Sequence, residues 1–370
     1  MSATAAPGAA VELDGLEVCA YTIPTDAPES DGTLEWDSTT IVVVEVHAGP
    51  ESGLGYTYGD VSVATFIRSQ LAAVVAGGDA MDVPATWAAM HAAIRNAGQQ
   101  GVGAMALAAV DTALWDLKAR LLSLPLAGLL GAVRERVPLY GSGGFTSYSD
   151  QRLGEQLAGW AQDAIPSVKM KVGRKPEQDA DRLALARRAI GERVELMVDA
   201  NGAYTRTQAL EWARRFADAG VTWLEEPVSS DDLEGLAALR EHGPAGLAIA
   251  AGEYGWDLAY FQRMLDAAAV DVLQADVTRC GGITELLRVG ELCQARSLPL
   301  SLHCAPALHA HVACALQPLM HLEWFHDHVR VERMLFEGVL GPRDGALWPD
   351  LDRHGHGLEL RRADAARWAA

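Results

Sequence analysis

Charged or imidazole side chains recur along the second half of this chain, and each stands where a short apolar run ends. Neighbouring positions are 20 to 28 residues apart, about the length of one strand followed by one helix. The positions are Lys171, Asp199, Glu225, Glu253, Asp276, His303 and Glu323. The carboxyl ends of parallel strands meet at one rim of a barrel, so this spacing predicts a barrel with its chemistry at a single rim.

Eight short apolar segments between residues 137 and 325 carry the β pattern that such a barrel requires. They are VPLYGSGG, PSVKMKVG, VELMVDAN, VTWLEEP, LAIAAGE, VDVLQAD, LPLSLHC and MHLEWF, with amphipathic stretches between them. The alternation of strand and helix predicts an α/β fold with a TIM-like (β/α) barrel. A doubly wound open sheet is the alternative, but no G-x-G-x-x-G loop follows the first strand.

Segments outside the barrel suggest a second, smaller unit. We predict a disordered tail over 1–10, an α+β capping domain over 11–133, the barrel over 134–337, and a segment over 338–370 that returns to the capping domain. The capping domain begins with two β-branched strands, VELDGLEVCAYTI and STTIVVVEVHAG, and the glycine-rich stretch PESGLGYTYG after them reads as a turn. A block of helices then follows, which is typical of an α+β domain.

Composition limits the partners and the compartment. The net charge is −19, which disfavours nucleic acid and anionic membranes as partners. No run of eighteen apolar residues exists, and the N-terminus lacks the basic and apolar regions of a secretion signal. The five cysteines include no C-x-x-C pair, which favours a reducing compartment over a disulfide framework. We therefore expect a cytoplasmic protein that acts on a small molecule.

Three carboxylates end successive strands of the predicted barrel. Asp199, Glu225 and Glu253 follow the third, fourth and fifth strands, so they are expected side by side on the rim. Adjacent carboxylates repel one another unless a cation lies between them. An all-oxygen set favours Mg²⁺, with Mn²⁺ as a second choice. Each residue alone could simply cap the following helix, but three in succession indicate a metal site.

Two basic groups are expected on either side of this trio. Lys169 and Lys171 share one face of the second strand, and mutual repulsion together with a nearby cation would favour a neutral, basic lysine. His303 ends the seventh strand and Asp276 the sixth, so the aspartate can orient the imidazole. A pair of solvated lysines and a structural histidine are the alternatives. The combined arrangement indicates acid–base catalysis.

Glu323 ends the eighth strand, and two roles are equally compatible with its position. It could form an inert salt bridge with Lys169, or it could be protonated and donate a hydrogen bond to substrate. The remaining histidines in this region are predicted to be packing or surface residues, namely His309, His311, His321, His326 and His328. Cys304 is expected to point away from His303, because successive side chains on a strand face opposite sides.

A cation flanked by a lysine and a His–Asp pair suits abstraction of a proton beside a carboxylate. The metal would stabilise the enediolate that forms as the proton leaves. A base on each face permits racemisation, whereas one base and an opposing acid permit loss of a β-hydroxyl group. A metal-dependent hydrolase is disfavoured, because such barrels usually bind their metal through histidines.

These motifs resemble the enolase superfamily, and in particular its mandelate racemase subgroup. The resemblance covers most of the chain and rests on K-M-K, V-D-A-N, L-E-E-P, A-G-E, D-V-T-R-C-G-G-I-T-E, L-H and H-L-E-W. It implies that Asp199, Glu225 and Glu253 bind Mg²⁺, that Lys171 and His303 are the acid–base catalysts, and that Asp276 orients His303. It also implies that Lys169 and Glu323 contact the substrate carboxylate, and that Asn201 contacts substrate or a metal-bound water.

The same resemblance implies dehydration of a sugar acid to a 2-keto-3-deoxy acid. A racemase or epimerase of a 2-hydroxy acid is the alternative, and a catalytically silent barrel with a binding role is a third. Family members select substrates with capping-domain loops, here expected at Tyr21–Trp36 and Gly53–Tyr58. Neither segment contains Arg or Lys, which favours a monocarboxylic acid. By analogy with relatives, we expect a homo-oligomer, a dimer or an octamer.

Overall fold

The computed structural model describes residues 10–370. Apart from Ala10, the tail expected over residues 1–10 lies outside the described residues. The N-terminal part contains strands β1 (Gly15–Ser30), β2 (Glu35–Ala48) and β3 (Glu51–Tyr58), then helices α1 (Ser62–Phe66), α2 (Ala72–Val75), α3 (Val83–Ala93), α4 (Val102–Leu121) and α5 (Leu126–Leu130), with a π-helical turn at Ile67–Leu71 between α1 and α2. The three strands form one antiparallel sheet in the order β1-β2-β3.

Both faces of the capping sheet are buried, which explains the unbroken run of β-branched residues in β2. Side chains alternate across a strand, so Val42 and Val44 pack under the helices of the capping domain. Ile41 and Val43 point the other way, into the cluster that includes the core of the barrel domain. The sheet is therefore held between its own helices and the barrel, and the segment Ile41–Val44 of β2 is apolar at every position.

The glycine-rich stretch expected to be a turn is instead the third strand. Its glycines lie against α4, where a Cβ on Gly53 would be 2.2 Å from the carbonyl oxygen of Ala113. A Cβ on Gly55 would be 2.2 Å from the carbonyl oxygen of Ala109. The expected turn was wrong because these glycines permit close packing of strand and helix, and not a reversal of the chain.

We expect Gly55→Ala to lower the free energy of unfolding by about 3 kcal/mol, because the new methyl group meets helix backbone that has no room to move. Gly159→Ala is the matched control. Its Cβ would meet nothing within 4 Å, and alanine in a helix should raise stability by about 0.5–1 kcal/mol. Denaturant unfolding of the two variants measures both effects. Equal stability of the two variants would contradict the packing argument.

The second part is a closed barrel of eight parallel strands, as predicted. The strands are β4 (Val137–Gly143), β5 (Ser167–Lys171), β6 (Glu195–Asp199), β7 (Val221–Glu225), β8 (Ala248–Ala251), β9 (Val272–Ala275), β10 (Leu300–Leu302) and β11 (Leu319–Phe325). They are joined in sequence order, and β11 pairs with β4. This pairing closes the sheet, so the doubly wound alternative was wrong.

Helices on the outside of the barrel cover the strands. They are α6 (Asp150–Gln162), α7 (Pro176–Ile190), α8 (Arg206–Asp218), α9 (Leu233–His242), α10 (Leu258–Asp266), α11 (Ile283–Ala295), α12 (Pro306–Val312) and α13 (His326–Leu335). The barrel interior contains a cluster of Tyr140, Met197, Trp223, Ala250 and Val272. Within residues 10–370, none of the helices has the length and apolar character needed to cross a membrane.

Strand register brings the charged residues to one rim. In the parallel pairings Lys171 lies opposite Asp199, and Asp199 opposite Glu225. Asp276 and His303 each follow the last residue of their strand, β9 and β10. Adjacent strands that end level with one another therefore place these side chains in one ring.

The C-terminal segment contacts both parts of the chain. Strand β12 (Phe336–Glu337) immediately precedes it, and it contains β13 (Ala346–Leu347), β14 (Glu359–Leu360) and α14 (Arg362–Ala365). Strand β13 pairs with β4 of the barrel, while the backbone N–H of Ala370 donates to the carbonyl of Ala20 at 3.0 Å. The domain limits 11–133, 134–337 and 338–370 stay predictions.

Candidate active site

The three rim carboxylates lie together and are almost completely buried. Asp199 and Glu225 end β6 and β7, and Glu253 follows β8 by two residues. Each offers an oxygen, and these oxygens lie within 4.8 Å of one another. Gly252 has φ +135° and passes so close to β9 that a Cβ would be 2.1 Å from the carbonyl oxygen of Gln274, so this bend before Glu253 requires glycine.

This carboxylate trio fits a divalent cation. Burial, and then the charge of Asp199, raises the pKa of Glu225 to about 8, since a buried anion beside another anion is unfavourable. The trio offers oxygen ligands alone, the set that Mg²⁺ and Mn²⁺ favour. A cation between the three oxygens would remove the repulsion that raises this pKa.

Both lysines of the K-M-K strand are buried and paired with rim carboxylates. Lys171 Nζ lies 2.5 Å from Asp199 Oδ2, and Lys169 Nζ lies 2.5 Å from Glu225 Oε1 and 2.9 Å from Glu323 Oε1. Burial lowers the pKa of Lys171, but the charges of Asp199, Glu253 and Glu225 together outweigh burial, and the pKa lies above its usual value. In the protein without a bound cation, a carboxylate 2.5 Å from each ammonium group favours charged lysines. The neutral lysine expected beside a divalent cation stays a prediction.

His303 is held between two carboxylates. Its Nδ1 lies 2.8 Å from Asp276 Oδ2, and its Nε2 lies 3.1 Å from Glu253 Oε2. The other oxygen of Asp276 accepts hydrogen bonds from the backbone N–H and the hydroxyl of Thr278, both at 2.7 Å. Burial raises the pKa of Asp276, but the hydrogen bond and charge of His303 outweigh it and bring the value to about 2. Asp276 is thus an ionised, fixed partner for the imidazole.

Glu323 and Asn201 complete the floor of the site. Glu323 is buried, and although burial raises its pKa, the charges of Lys169 and His303 hold that pKa well below the ordinary value. Of its two readings, the salt bridge with Lys169 is therefore favoured over the protonated donor. Asn201 donates its backbone N–H to Asp199 Oδ1 at 2.9 Å, and its side-chain Oδ1 is buried without a partner.

Cys304 was predicted to face away from His303, and that prediction was wrong. Its Sγ lies 3.2 Å from His303 Nε2 and 3.4 Å from Glu323 Oε2. The strand rule fails here because β10 has already ended, and Cys304 and Ala305 both adopt left-handed backbone, with φ 52° and 41°. This bend returns the thiol to the same side as the imidazole.

Arg279 is a site residue that sequence reasoning missed. Its guanidinium donates to the carbonyl of Glu253 at 3.2 Å, and its Nε lies 3.8 Å from Asp276 Oδ2. It stands three residues after Asp276 in the D-V-T-R motif, and this spacing was the available signal. A positive charge next to the Glu253 and Asp276 carboxylates stabilises their ionised forms.

The other histidines lie mainly in packed positions, as predicted. His309 Nε2 accepts the backbone N–H of Val277, and His311 Nδ1 accepts that of Ala127. His321 Nδ1 lies 2.9 Å from the Ser301 hydroxyl. His326 is half-buried, and its Nε2 lies 3.1 Å from Asp26 Oδ2. His328 is buried against Phe325 and also lines the active-site cavity.

A cavity of about 350 Å³ opens above the ring. From the two predicted specificity segments, only Asp31, Leu34, Trp36 and Tyr58 line it, together with Ser38, Thr39, Thr40, Gly59 and Asp60 from just beyond them. Tyr21 lies elsewhere, where it forms a bridge with Ala369. Gly53 packs against α4. The cavity wall is thus centred on the β1–β2 connection and the end of β3.

The β1–β2 connection is anchored by a buried carboxylate. Glu29 accepts a hydrogen bond from Trp36 Nε1 at 2.9 Å, and its other oxygen is buried without a partner. Burial and the charge of Asp327 raise the pKa of Glu29 from 4.5 to about 8, and the charge of Asp26 adds to this while that of Arg330 opposes it. The Glu29 carboxyl therefore holds Trp36 at the cavity by accepting the indole N–H.

We expect stability to fall as pH rises through about 8, and Glu29→Gln to reduce that fall. A raised carboxyl pKa adds stability that is complete below the unfolded value of 4.5 and is lost as pH passes the folded value. A shift of this size corresponds to on the order of 5 kcal/mol. Denaturant unfolding of both proteins over this pH range isolates the contribution of Glu29. Parallel pH curves for the two proteins would contradict it.

Family models match most of the chain. One described as the mandelate racemase / muconate lactonizing enzyme, N-terminal domain matches residues 22–131, and one described as enolase C-terminal domain-like matches residues 152–365. The chain is 32% identical over 361 residues to L-talarate/galactarate dehydratase of Salmonella typhimurium, which covers 94% of this chain and 88% of that protein. It is also 32% identical to the 3,6-anhydro-alpha-L-galactonate cycloisomerase of Streptomyces coelicolor, over 91% of this chain and 93% of that protein.

Solved structures agree with these matches. A mandelate racemase/muconate lactonizing enzyme-like protein from Rubrobacter xylanophilus superimposes with a TM-score of 0.95 at 63% identity, covering 97% of this chain and 100% of that one. A racemase from Streptomyces coelicolor, solved with bound magnesium, superimposes with a TM-score of 0.91 at 30% identity over 97% and 100% of the two chains. The chain therefore belongs to the enolase superfamily, in its mandelate racemase subgroup.

Proposed function

We propose that this protein is a Mg²⁺-dependent enzyme that removes the proton α to a carboxylate and dehydrates a sugar acid to a 2-keto-3-deoxy acid. One observation carries the proposal. The carboxylate trio borders the cavity that Lys171 and His303 line. Lys171 and His303 come from strands on either side of the trio. Relatives named as dehydratases of acid sugars, among them the Salmonella protein and an arabinonate dehydratase from Saccharolobus solfataricus, support the reaction class.

Asp199, Glu225 and Glu253 would hold the metal, consistent with the magnesium bound to the related Streptomyces racemase. When bound, Mg²⁺ supplies positive charge that stabilises the negative charge developing on the substrate carboxylate. The trio's oxygens would then be shared with the ion and no longer available to the lysines alone. This sharing lowers the pKa of Lys171 towards the range in which a lysine acts as a base.

Proton movement is assigned to the two groups that flank the trio. One of them, Lys171 Nζ or His303 Nε2, accepts the α-proton, and the electron pair spreads into the carboxylate as an enediolate. The other donates a proton to the departing β-hydroxyl group, which leaves as water. The enol that remains tautomerises to the 2-keto-3-deoxy acid. Asp276 fixes the imidazole with its Nε2 directed to the site, where it lies 3.1 Å from Glu253 Oε2.

The cavity wall favours a substrate with a single carboxylate. Asp31 and Asp60 both line the part contributed by the capping domain, together with the hydroxyl groups of Ser38 and Thr40. Two carboxylates there would repel a second carboxylate on the substrate, whereas hydroxyl groups can hydrogen-bond a polyol tail. Arg279, which also lines the cavity, is paired with Glu253 and Asp276. An aldonic acid thus fits the wall better than an aldaric acid.

A racemase or epimerase of a 2-hydroxy acid is the second candidate. The same pair of proton carriers favours it, because a base on each face can remove and return the α-proton. Relatives named as cycloisomerases indicate that enzymes similar to this chain are not confined to dehydration. A catalytically silent barrel is the third. A cytoplasmic location and assembly into a homo-oligomer of two or eight copies stay predictions.

A substrate screen tests these candidates. Mg²⁺-loaded protein is incubated with aldonic acids and with aldaric acids of matched length and stereochemistry, and 2-keto acid formation is measured. We expect product from at least one aldonic acid and slower turnover of its diacid partner. Exchange of the α-hydrogen in D₂O without keto acid would favour the racemase or epimerase. Neither product nor exchange with any acid would refute the proposed chemistry.

A further inference from the structure

Three donor atoms of different chemistry meet on the floor of the cavity, beside the carboxylate trio. His303 Nε2 lies 3.2 Å from Cys304 Sγ and 3.7 Å from Glu323 Oε2, and the last two lie 3.4 Å apart. All three residues are buried, and all three line the cavity. We propose that His303, Cys304 and Glu323 form a second cation site, one that takes a soft divalent ion such as Zn²⁺.

The spacing of these donors matches a tetrahedral ion. Zinc binds sulfur at about 2.3 Å and imidazole nitrogen or carboxylate oxygen at about 2.0–2.2 Å, so tetrahedral ligands lie about 3.3–3.6 Å from one another. The three measured separations, 3.2, 3.4 and 3.7 Å, bracket this range. An ion could therefore bind with side-chain shifts of a few tenths of an ångström, and its fourth position would face the cavity.

Neighbouring groups hold each donor in place. The Nδ1 of His303 pairs with Asp276, which is the usual arrangement behind a metal-bound histidine. Glu323 keeps its other oxygen on Lys169, and its Oε2 accepts the backbone N–H of Cys304 at 2.9 Å. The left-handed backbone of Cys304 directs the thiol inwards.

Ligand chemistry separates this site from the trio. The trio is all oxygen and suits a hard ion, whereas a nitrogen, a sulfur and an oxygen together favour Zn²⁺ or Co²⁺ over Mg²⁺. Ion binding releases the Cys304 proton and the proton on His303 Nε2 to solvent, and the thiolate and the Glu323 carboxylate supply negative charge to the ion. One consequence rests on the proposed function: His303 Nε2 bound to an ion could not carry a proton, so zinc would inhibit the enzyme.

Cobalt spectroscopy tests the site without any substrate. Protein saturated with Mg²⁺ is titrated with Co²⁺, and the near-ultraviolet band that reports a cobalt–thiolate bond is recorded. We expect one equivalent to produce the band in the wild type and Zn²⁺ to abolish it. Cys304→Ser and Cys304→Ala should lack it. Cys19→Ser is the matched control and should keep it, because Cys19 is exposed and far along the chain from the site.

Absence of the band in the wild type, or its retention in both Cys304 variants, would overturn the proposal. So would its loss in Cys19→Ser alone. If the Cys304 variants do not fold, X-ray absorption at the zinc edge of the wild type decides: one sulfur and at least one imidazole are required, and a shell without sulfur rejects the site. Binding without inhibition of an identified activity would leave the site intact and instead contradict the role of His303 in the proposed function.

Discussion

Glu225→Gln should lower turnover of any identified substrate by at least about 10³-fold, equivalent to about 4 kcal/mol of transition-state stabilisation. An amide oxygen is a weaker ligand than a carboxylate, and the trio would lose one of its three charges. Excess Mg²⁺ should not restore the rate. The same change should remove the stabilisation that the ion gives to the folded protein, which for a single site is about 2.7 kcal/mol at one hundred times its dissociation constant.

Thermal or chemical unfolding with and without Mg²⁺ measures the second effect and needs no substrate. The fold of Glu225→Gln should survive, because Lys169 keeps its 2.9 Å contact with Glu323. Glu332→Gln is the matched control. It is also a buried carboxyl group, but it accepts from Tyr56 and from the backbone N–H of Ala307 and lies outside the trio. Equal Mg²⁺ stabilisation of Glu225→Gln and the wild type would contradict the assignment of Glu225 as a ligand.

His303→Asn should slow α-proton exchange by about 10²–10⁴-fold on one face of the substrate and leave the opposite face to Lys171. The two carriers come from strands on either side of the trio and so address the α-carbon from different directions. Asparagine is close in shape to part of the imidazole but cannot accept the proton. Hydrogen exchange in D₂O, followed by NMR for each of two C2 epimers, separates the faces.

Lys171→Ala is the complementary variant, and it should lose α-hydrogen exchange with the other epimer. Asp276→Asn should slow the same face as His303→Asn by a smaller factor, because it removes the orienting partner and not the base itself. If His303→Asn exchanged the α-hydrogen of both epimers at the wild-type rate, the two-base arrangement would be refuted. Loss of exchange with both epimers would mean that His303 also positions the substrate.

Much of the fold followed from local pattern. Apolar runs that end in a charge predicted eight strands, and parallel strand order then predicted which charges become neighbours. The third capping strand was missed because Gly53 and Gly55 are turn residues by local preference. These positions require glycine because the backbone of α4, more than fifty residues further along the chain, packs directly against them. No local pattern contains that contact.

The site divides in the same way. The sequence by itself determined the membership of the ring, Lys169 to Glu323, because residue order and strand length place strand ends on one rim. Only the tertiary structure decided the carboxylate partners of the lysines, the inward turn of Cys304, the contacts of Arg279 and the walls of the cavity. These depend on through-space distances between residues that are remote in sequence. Proton equilibria and ligand geometry change over an ångström or two, a scale that residue spacing does not specify.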